Sequence, residues 1–333
     1  MIISRTPFRM SFFGGGTDYP VWFREYGGSV LATSINKYCY ITCRYLPPFF
    51  EHKTRIAYSK VEMIHEINEI EHPAVRGILQ HMKIQEGLEI HHDGDLPART
   101  GLGSSSAFTV GLLHALYALK QKMASQIALA KEAIHIEQNV LKENVGSQDQ
   151  VITAVGGFSK VDFFPNNEIR VNPIILKQER LKEFQSHLML FFTGFSRIAS
   201  NIAKEQIALT PTKKNELSLM REMVDEGLSI LISQEGLEKF GKLLHEGWKL
   251  KRSLSSSIST PKIDEIYQIA REAGAVGGKI LGAGGGGFLL IFAPPEKQEK
   301  IQEALKELLR VPFEFENQGS QIIVYQPSNI FHN

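Results

Sequence analysis

The sequence predicts an α+β protein, and three observations support that class. The 333-residue chain is 43% hydrophobic and 22% charged, which is ordinary for a folded globular protein. Strand-like and helical patterns both occur but do not alternate regularly, so a doubly wound parallel sheet is not expected. The length exceeds one ordinary domain, and we place a soft boundary near residue 185, which gives domains 1–185 and 186–333.

The first domain contains most of the predicted strands. Runs rich in Val, Ile, Thr and Tyr predict strands over residues 2–4, 30–45, 55–58, 88–92, 158–161 and 169–171. Apolar residues on one face predict a helix over 73–86. Two long helices are expected over 104–120 and 125–144, the second with Ser125 as its N-cap, and Gly146 ends that pattern.

The second domain begins with a buried-strand candidate and then becomes helical. The apolar run over 187–192 predicts the strand, and helical composition follows over 198–250, with a loop at 210–212. The tail predicts a helix, a strand, a helix and a strand, over 261–273, 288–293, 296–309 and 322–325.

Composition excludes several classes of function. A formal net charge of +1 gives no global argument for a nucleic-acid partner. The most apolar stretches are far shorter than the roughly 20 residues of a membrane-spanning helix, and no signal peptide is recognisable. The two cysteines, Cys39 and Cys43, suit a reducing compartment, so we expect a cytoplasmic protein. Adjacent His91 and His92 would point to opposite faces of a strand, and no zinc motif occurs.

The strongest chemical signal is a Gly- and Ser-rich segment that opens an apolar helix. It reads Pro-Ala-Arg-Thr-Gly-Leu-Gly-Ser-Ser-Ser-Ala over 97–107. Glycines allow close backbone approach, and amide groups at a helix N-terminus bind anions. The alternative is a Ser-capped helix after a flexible turn. The segment is not a Walker A loop, and Ser106 occupies the place of the third glycine of a dinucleotide motif.

Two further glycine clusters carry weaker signals. The segment 282–287 matches G-x-G-x-x-G, but a strand follows it where a dinucleotide site requires a helix. Close contact with a ligand or with another loop is favoured there, and a flexible turn between two strands is the alternative. Near the N-terminus, Arg5, Arg9 and Asp18 flank the glycines of 14–16, which suits a site that holds hydroxyls and a transferring phosphoryl group.

Two carboxylates complete the set of candidates. Glu137 lies late in the second long helix, and Asp149 lies on the turn expected beyond its end. The two could converge on one metal–phosphate site. The alternative is a solvated helix Glu and an ordinary turn Asp.

Taken in chain order, these clusters resemble the motifs of the GHMP small-molecule kinases, the relatives of galactokinase, homoserine kinase and mevalonate kinase. The matching segments read Arg-Thr-Pro-Phe-Arg with Gly-Gly-Gly-Thr-Asp-Tyr, then Pro-x-x-x-Gly-Leu-Gly-Ser-Ser-Ser-Ala, then Lys-Ile-Leu-Gly-Ala-Gly-Gly-Gly-Gly. They span nearly the whole chain. The resemblance implies an N-terminal domain like ribosomal protein S5 domain 2, a C-terminal ferredoxin-like domain, and phosphoryl transfer from Mg-ATP.

Within that superfamily the sequence is most similar to the D-glycero-D-manno-heptose 7-phosphate kinases. The segments 5–20, 35–38 and 192–197 carry this similarity. It implies phosphorylation of the anomeric hydroxyl to give a 1,7-bisphosphate. L-fucose-type kinases are the near alternative, whereas the glycines of 14–16 replace the Gly-Glu-His of galactokinases and weaken a galactose assignment.

The resemblance also implies a role for each matching residue around ATP. Its phosphates would lie against the backbone of Gly101, Leu102, Gly103, Ser104, Ser105 and Ser106. Ser105 matches the magnesium-ligating serine, although three successive serines leave the register open by one. Glu137 matches the acid that completes the metal site. The implied cofactor is Mg²⁺, with ATP as co-substrate.

On the acceptor side, Asp149 matches the acid that faces the acceptor hydroxyl and Arg9 the arginine beside it. Asp18 matches the acid that holds sugar hydroxyls. The substrate-binding residues predicted in this way are Gly16, Thr17, Asp18, Arg197, Gly284 and Gly285, with Arg197 as the candidate ligand of an acceptor phosphate. A protein of another class, a regulator that binds ATP or a sugar without catalysis, remains the second hypothesis. The oligomeric state, monomer or homodimer, is left open.

Overall fold

Two β-sheets organise the chain, which a computed structural model describes over residues 1–98, 100–194, 199–233 and 235–327. The strands of this part are β1 (Ile2–Phe13), β2 (Gly28–Tyr45), β3 (Thr54–Ala57), β4 (Val61–Ile64), β5 (Leu88–Gly94), β6 (Phe158–Phe163), β7 (Ile169–Pro173), β8 (Leu188–Phe192), β9 (Gly277–Ile280), β10 (Phe288–Phe292), β11 (Leu309–Arg310), β12 (Phe315–Glu316) and β13 (Gln321–Tyr325). The helices are α1 (Pro20–Tyr26), α2 (Pro73–His81), α3 (Ser104–Leu119), α4 (Gln126–His135), α5 (Gln148–Val155), α6 (Gln178–Ser186), α7 (Ala199–Leu209), α8 (Lys214–Ile232), α9 (Glu238–Ser253), α10 (Pro261–Ala273) and α11 (Gln298–Ala304).

The first sheet is built around the long hairpin of β1 and β2. Its described strands follow the order β13-β1-β2-β5-β3-β4, with β12 and β6 also paired to β2, and β7 paired to β6. The pairing is antiparallel except between β3 and β5. The apolar residues Phe8, Met10 and Phe12 of β1 are fully buried, which explains why this strand extends far beyond the predicted 2–4.

The second sheet has the strand order β11-β8-β10-β9 in the described chain and is antiparallel throughout. An aromatic cluster joins the two sheets: the ring of Phe12 lies 5.7 Å from that of Phe240, and Phe184 lies 4.7 Å from Phe240 and 6.2 Å from Phe292. The predicted α+β class is confirmed. The predicted domain boundary near residue 185 lies within α6 and stays a prediction. The strands β12 and β13 follow this boundary in the chain but pair with strands of the first sheet.

Several predicted elements differ in extent. The helix expected over 125–144 begins as predicted, with the Ser125 hydroxyl accepting from the Ala128 amide, but it ends as an α-helix at His135 and continues as a π-helical turn over Ile136–Val140. The turn expected around Asp149 is the helix α5. The helix expected over 73–86 ends at His81, and the loop expected at 210–212 is a short 3₁₀ helix.

Other elements escaped the sequence patterns. They are β4, the helices α1 and α6, the strand β9, and the short strands β11 and β12. Within the described residues, no helix combines the length and the apolar character needed to cross a membrane.

Candidate active site

A bidentate ion pair between Arg9 and Asp149 lies at the centre of the site. Arg9 Nε donates to Asp149 Oδ1 at 2.7 Å, and a terminal guanidinium nitrogen donates to Oδ2 at 2.6 Å. The other terminal nitrogen donates to the Gly101 carbonyl at 2.6 Å. Arg9 projects from β1 and is 3% exposed, whereas the Asp149 side chain, in the first turn of α5, is 28% exposed. The pair therefore connects the first sheet to the Gly- and Ser-rich loop and leaves the carboxylate of Asp149 partly accessible.

The Asp18 carboxylate is buried against the start of α5. Its Oδ1 accepts from the Gly16 amide at 2.9 Å, and its Oδ2 accepts from the amides of Ser147 and Gln148 at 3.1 and 3.2 Å. Burial raises the pKa of Asp18 above its usual range, and the Gly16 hydrogen bond opposes that shift. Asp18 thus joins the N-terminal glycine turn to the helix that carries Asp149.

Glu137 lies in the π-helical turn and faces the first turn of α3. Its Oε2 accepts from the Ser106 hydroxyl at 3.0 Å and from Gln150 Nε2 at 2.6 Å. Burial raises the pKa of Glu137 to about 8, although the bond from Gln150 opposes this. The serine in contact with Glu137 is Ser106, whereas the predicted partner, Ser105, is exposed. The structure therefore places Ser106 beside Glu137, and the metal-binding role of Ser105 stays a prediction.

Glu137 and Ser106 fit a divalent cation that takes most of its ligands from outside the protein. Glu137 Oε1 is buried and has no well-formed hydrogen bond from the described residues, although the Thr109 hydroxyl interacts with this carboxylate and opposes the rise of its pKa. A carboxylate oxygen and a nearby hydroxyl are hard oxygen donors of the kind that Mg²⁺ prefers, and Mg²⁺ usually takes one or two protein ligands together with phosphates and waters. In the described chain, no group of three His, Cys, Asp or Glu side chains is arranged to hold a metal alone. A metal bound together with a nucleotide fits this donor set better than a dedicated metal site.

The Gly- and Ser-rich loop of 97–107 packs against the glycine loop of 282–287. A Cβ on Gly101 would lie 2.2 Å from the Leu281 carbonyl oxygen, and one on Gly282 would lie 2.6 Å from the Gly101 Cα. Both glycines have positive φ, 84° and 78°, which side-chain-bearing residues rarely adopt. The loop over 282–287 therefore contacts another loop, which is one of the two kinds of contact favoured by its sequence.

The remaining predicted acceptor residues make local contacts. The Gly285 amide donates to the Ile258 carbonyl at 2.8 Å, and a Cβ on Gly284 would lie 2.6 Å from that same oxygen. The hydroxyl of Thr17 is buried and donates to the Gly14 and Ser29 carbonyls, so it closes the turn. Arg197 lies outside the described residues. The substrate-binding roles of these residues stay predictions.

Two buried lysines and a glutamine lie close to the glycine turn of residues 14–18, which carries predicted acceptor ligands and is called the acceptor turn below. The sequence analysis assigned no role to these three residues. Lys251 Nζ donates to Gln206 Oε1 at 3.0 Å and to the Gly15 carbonyl at 3.4 Å, and Lys279 Nζ donates to the Ser11 and Phe12 carbonyls at 3.0 Å each. Burial lowers the pKa of Lys251 to about 8 and that of Lys279 to about 7. Lys251 lies among other basic residues of α9, so no sequence signal separated it from a surface charge.

The chain matches two family models. The model described as "GHMP kinases N terminal domain" matches residues 61–157, and that described as "GHMP kinases C terminal" matches residues 230–311. The first match contains Gly101, Ser106, Glu137 and Asp149, and the second contains the loop over 282–287.

Individual relatives cover nearly the whole chain. The D-glycero-alpha-D-manno-heptose 7-phosphate kinase of Campylobacter jejuni is 27% identical, over 92% of this chain and 93% of that protein. The bifunctional fucokinase/GDP-fucose pyrophosphorylase of Arabidopsis thaliana is 24% identical over 90% of this chain and 31% of its own length. A solved D-glycero-D-manno-heptose 1-phosphate kinase from Bacteriodes thetaiotaomicron has a TM-score of 0.79 at 24% identity, covering 98% of this chain and 100% of that one, and this similarity shows the fold.

Proposed function

The chain belongs to the GHMP kinase family, and from this premise we propose that it phosphorylates the anomeric hydroxyl of D-glycero-D-manno-heptose 7-phosphate, forming the 1,7-bisphosphate. The family makes the protein an ATP-dependent phosphotransferase with an alcohol group as acceptor, and a sugar kinase within that class. The Campylobacter jejuni relative supports the choice of acceptor, because its similarity extends over 92% of this chain.

One observation carries the catalytic part of the proposal. The Arg9–Asp149 pair contacts the Gly101 carbonyl of the loop proposed for ATP. Asp149 also follows directly after the Ser147 and Gln148 amides that bind Asp18 of the turn proposed for the acceptor, so the pair is linked to both parts of the site. Phosphoryl transfer depends mainly on positioning and on stabilisation of charge, and a rigid bidentate pair supplies both.

Asp149 and Arg9 have different roles in the phosphoryl transfer. The acceptor oxygen attacks the γ-phosphorus of ATP, the bond to the ADP oxygen breaks, and the hydroxyl proton passes to the Asp149 carboxylate. Arg9 holds Asp149 in its orientation and places positive charge beside the transferring group. The backbone of the 101–106 loop and the start of α3 face the phosphates.

Magnesium is the proposed cofactor. Glu137 and Ser106 would hold it. Glu137 Oε1 is buried without a well-formed hydrogen bond, and the Ser106 hydroxyl donates to the other oxygen of the same carboxylate. When bound, Mg²⁺ would neutralise phosphate charge on ATP. We retain the cytoplasmic location predicted from the sequence, and we assign no oligomeric state.

Two alternatives compete with this assignment. An L-fucose-type kinase is favoured by the Arabidopsis thaliana relative, which shares 24% identity over 90% of this chain. A regulator without catalysis is opposed by the intact Arg9–Asp149 pair and by the retention of Glu137 and Ser106.

An assay of ATP consumption over a panel of acceptors tests the proposed function. The panel contains heptose 7-phosphate, the unphosphorylated heptose, L-fucose, galactose and mevalonate. We expect turnover to be fastest with heptose 7-phosphate. Equal use of the phosphorylated and unphosphorylated heptose would reject a site for the acceptor phosphate, preference for L-fucose would favour the alternative kinase, and no turnover with any acceptor would favour the regulator.

The Asp149→Asn variant tests the catalytic assignment. The amide cannot take the hydroxyl proton, so we expect turnover to fall by roughly 10²- to 10⁴-fold while ATP binding is retained. Asp225→Asn is the matched control, because Asp225 is an exposed carboxylate paired with Lys160 on the surface. Near-normal turnover of Asp149→Asn would contradict the role of Asp149.

A further inference from the structure

The buried carboxylate of Asp18 has a bonding pattern that differs from that of a substrate ligand. Its two oxygens accept three backbone hydrogen bonds, from Gly16 on its own turn and from Ser147 and Gln148 at the start of α5. Only 2% of the residue is exposed. An acceptor hydroxyl would have to displace one of these bonds or enter a closed space.

The backbone next to Asp18 leaves space for its carboxylate to reach the start of α5. A Cβ on Gly146 would lie 1.9 Å from Asp18 Oδ2, so only a glycine allows the carboxylate to reach the two amides beyond it. The first amides of a helix lack partners within the helix, and the side chain of Ser147 does not cap α5. Asp18 supplies these acceptors from 129 residues away: its carboxylate accepts from both amides, and its backbone carbonyl also accepts from Ser147 at 3.1 Å. The Gln148 amide therefore depends on the side chain of Asp18 more than the Ser147 amide does.

These bonds to the start of α5 affect the position of Asp149, the next residue along the helix. Asp149 directly follows Gln148, and its carboxylate must meet the fixed guanidinium of Arg9. A shift of the first turn of α5 would therefore move Asp149 relative to the acceptor turn, to which Asp18 also belongs.

We propose that Asp18 is a positioning residue, which acts through α5 to hold Asp149 against Arg9 and in register with the acceptor turn. Lys251 provides the nearby buried positive charge, because its ammonium donates to the Gly15 carbonyl of the same turn. The role differs from the hydroxyl ligand that the sequence predicts for Asp18. It rests on the proposed function, since it concerns the acceptor and the base of that reaction.

The kinetic test compares Asp18→Asn with the wild type, with heptose 7-phosphate and ATP as substrates. Loss of the position of Asp149 should lower kcat by roughly 10- to 100-fold and leave the KM of the acceptor nearly unchanged. A hydroxyl ligand would instead raise the KM of the acceptor. A large rise in KM with nearly normal kcat overturns the proposal.

A double variant tests whether Asp18 acts through Asp149. In an Asp149→Asn background, Asp18→Asn should cause little further loss of turnover, because the residue that it positions has already lost its function. If the loss of turnover in the double variant equals the product of the two individual losses, Asp18 acts independently of Asp149, and that result overturns the proposal.

Gly146→Ala provides a second route that keeps Asp18 intact. Its methyl group would displace the carboxylate from the Ser147 and Gln148 amides, so we expect the same fall in kcat. Gly236→Ala is the control, since Gly236 is exposed and has no atom within 4 Å of the added Cβ. Normal kcat in folded Gly146→Ala, or loss of the fold in both Asp18→Asn and Gly146→Ala, overturns a positioning role.

Hydrogen exchange separates this proposal from the proposed function. In Asp18→Asn the amides at the start of α5 should exchange faster than in the wild type, whether or not heptose 7-phosphate is the acceptor. Unchanged protection of α5 overturns the positioning role. Absence of wild-type turnover with heptose 7-phosphate contradicts the proposed function alone, and exchange then decides on Asp18.

Discussion

The three serines at the start of α3 occupy different environments although they are adjacent in the sequence. Ser106 is buried and donates to Glu137, Ser105 is exposed, and Ser104 is half-buried. A helix turns by about 100° per residue, so one step in register decides which hydroxyl faces the carboxylate. The sequence alone left that step open.

A pair of alanine variants distinguishes the two registers. Ser106→Ala removes the hydrogen bond to Glu137 and a proposed metal ligand, and we expect kcat/KM for MgATP to fall by roughly 10- to 100-fold. Ser105→Ala should cause a smaller loss, because Ser105 is exposed whereas Ser106 is the serine that donates to Glu137. Both variants are measured by ATP consumption at several Mg²⁺ concentrations. A larger loss in Ser105→Ala would return the metal role to the register predicted from the sequence.

At the scale of elements, the local patterns predicted α3 and α4 because apolar spacing and a capping serine are local signals. The helix α5 was missed for a physical reason: its first amides are satisfied by Asp18, a residue remote in the chain. The π-helical turn is similar, because its bond from the Leu141 amide to the Ile136 carbonyl leaves no distinct pattern in the sequence. Asp149 and Glu137, two of the three acids of the site, are therefore carried by elements whose form was not predictable.

The contact between the two glycine loops gives a prediction for Gly282→Ala. The added Cβ would meet the Gly101 Cα at 2.6 Å, and φ at this position is 78°. We expect a loss of about 1–3 kcal/mol in the free energy of unfolding and a higher KM for ATP, since the 101–106 loop must move. Chemical denaturation and ATP titration measure these changes. Gly236→Ala should leave both nearly unchanged, and equal behaviour of the two variants would show that the contact is unimportant.

At the scale of the whole molecule, the two sheets share one core and a polar link. Phe12 of β1 packs against Phe240, and Lys279 of β9 donates to the carbonyls of Ser11 and Phe12. The α+β class and the three motif clusters were predictable from the sequence, whereas this joining of the sheets was not. It depends on pairs of residues more than 200 positions apart, for which a single sequence carries no pattern.

The buried link through Lys279 makes the stability of the whole molecule dependent on pH. Burial lowers the pKa of Lys279 to about 7 from its ordinary value of 10.5. Between these values the unfolded chain binds a proton that the folded chain lacks, so the free energy of unfolding rises with pH, by at most about 1.4 kcal/mol per pH unit from this group. The rise begins near pH 7 and ends near pH 10.5.

Lys279→Met should therefore make this rise shallower, as measured by chemical denaturation from pH 6 to about pH 10. Part of the rise should remain, because Lys251 is also buried and its pKa is lowered to about 8. Lys242→Met is the matched control: Lys242 is exposed and pairs with Glu238 on the surface, so its loss should leave the slope above pH 7 unchanged. If Lys279→Met keeps the slope of the wild type, the ammonium group of Lys279 remains charged in the folded protein, and its two carbonyl bonds outweigh the cost of burial.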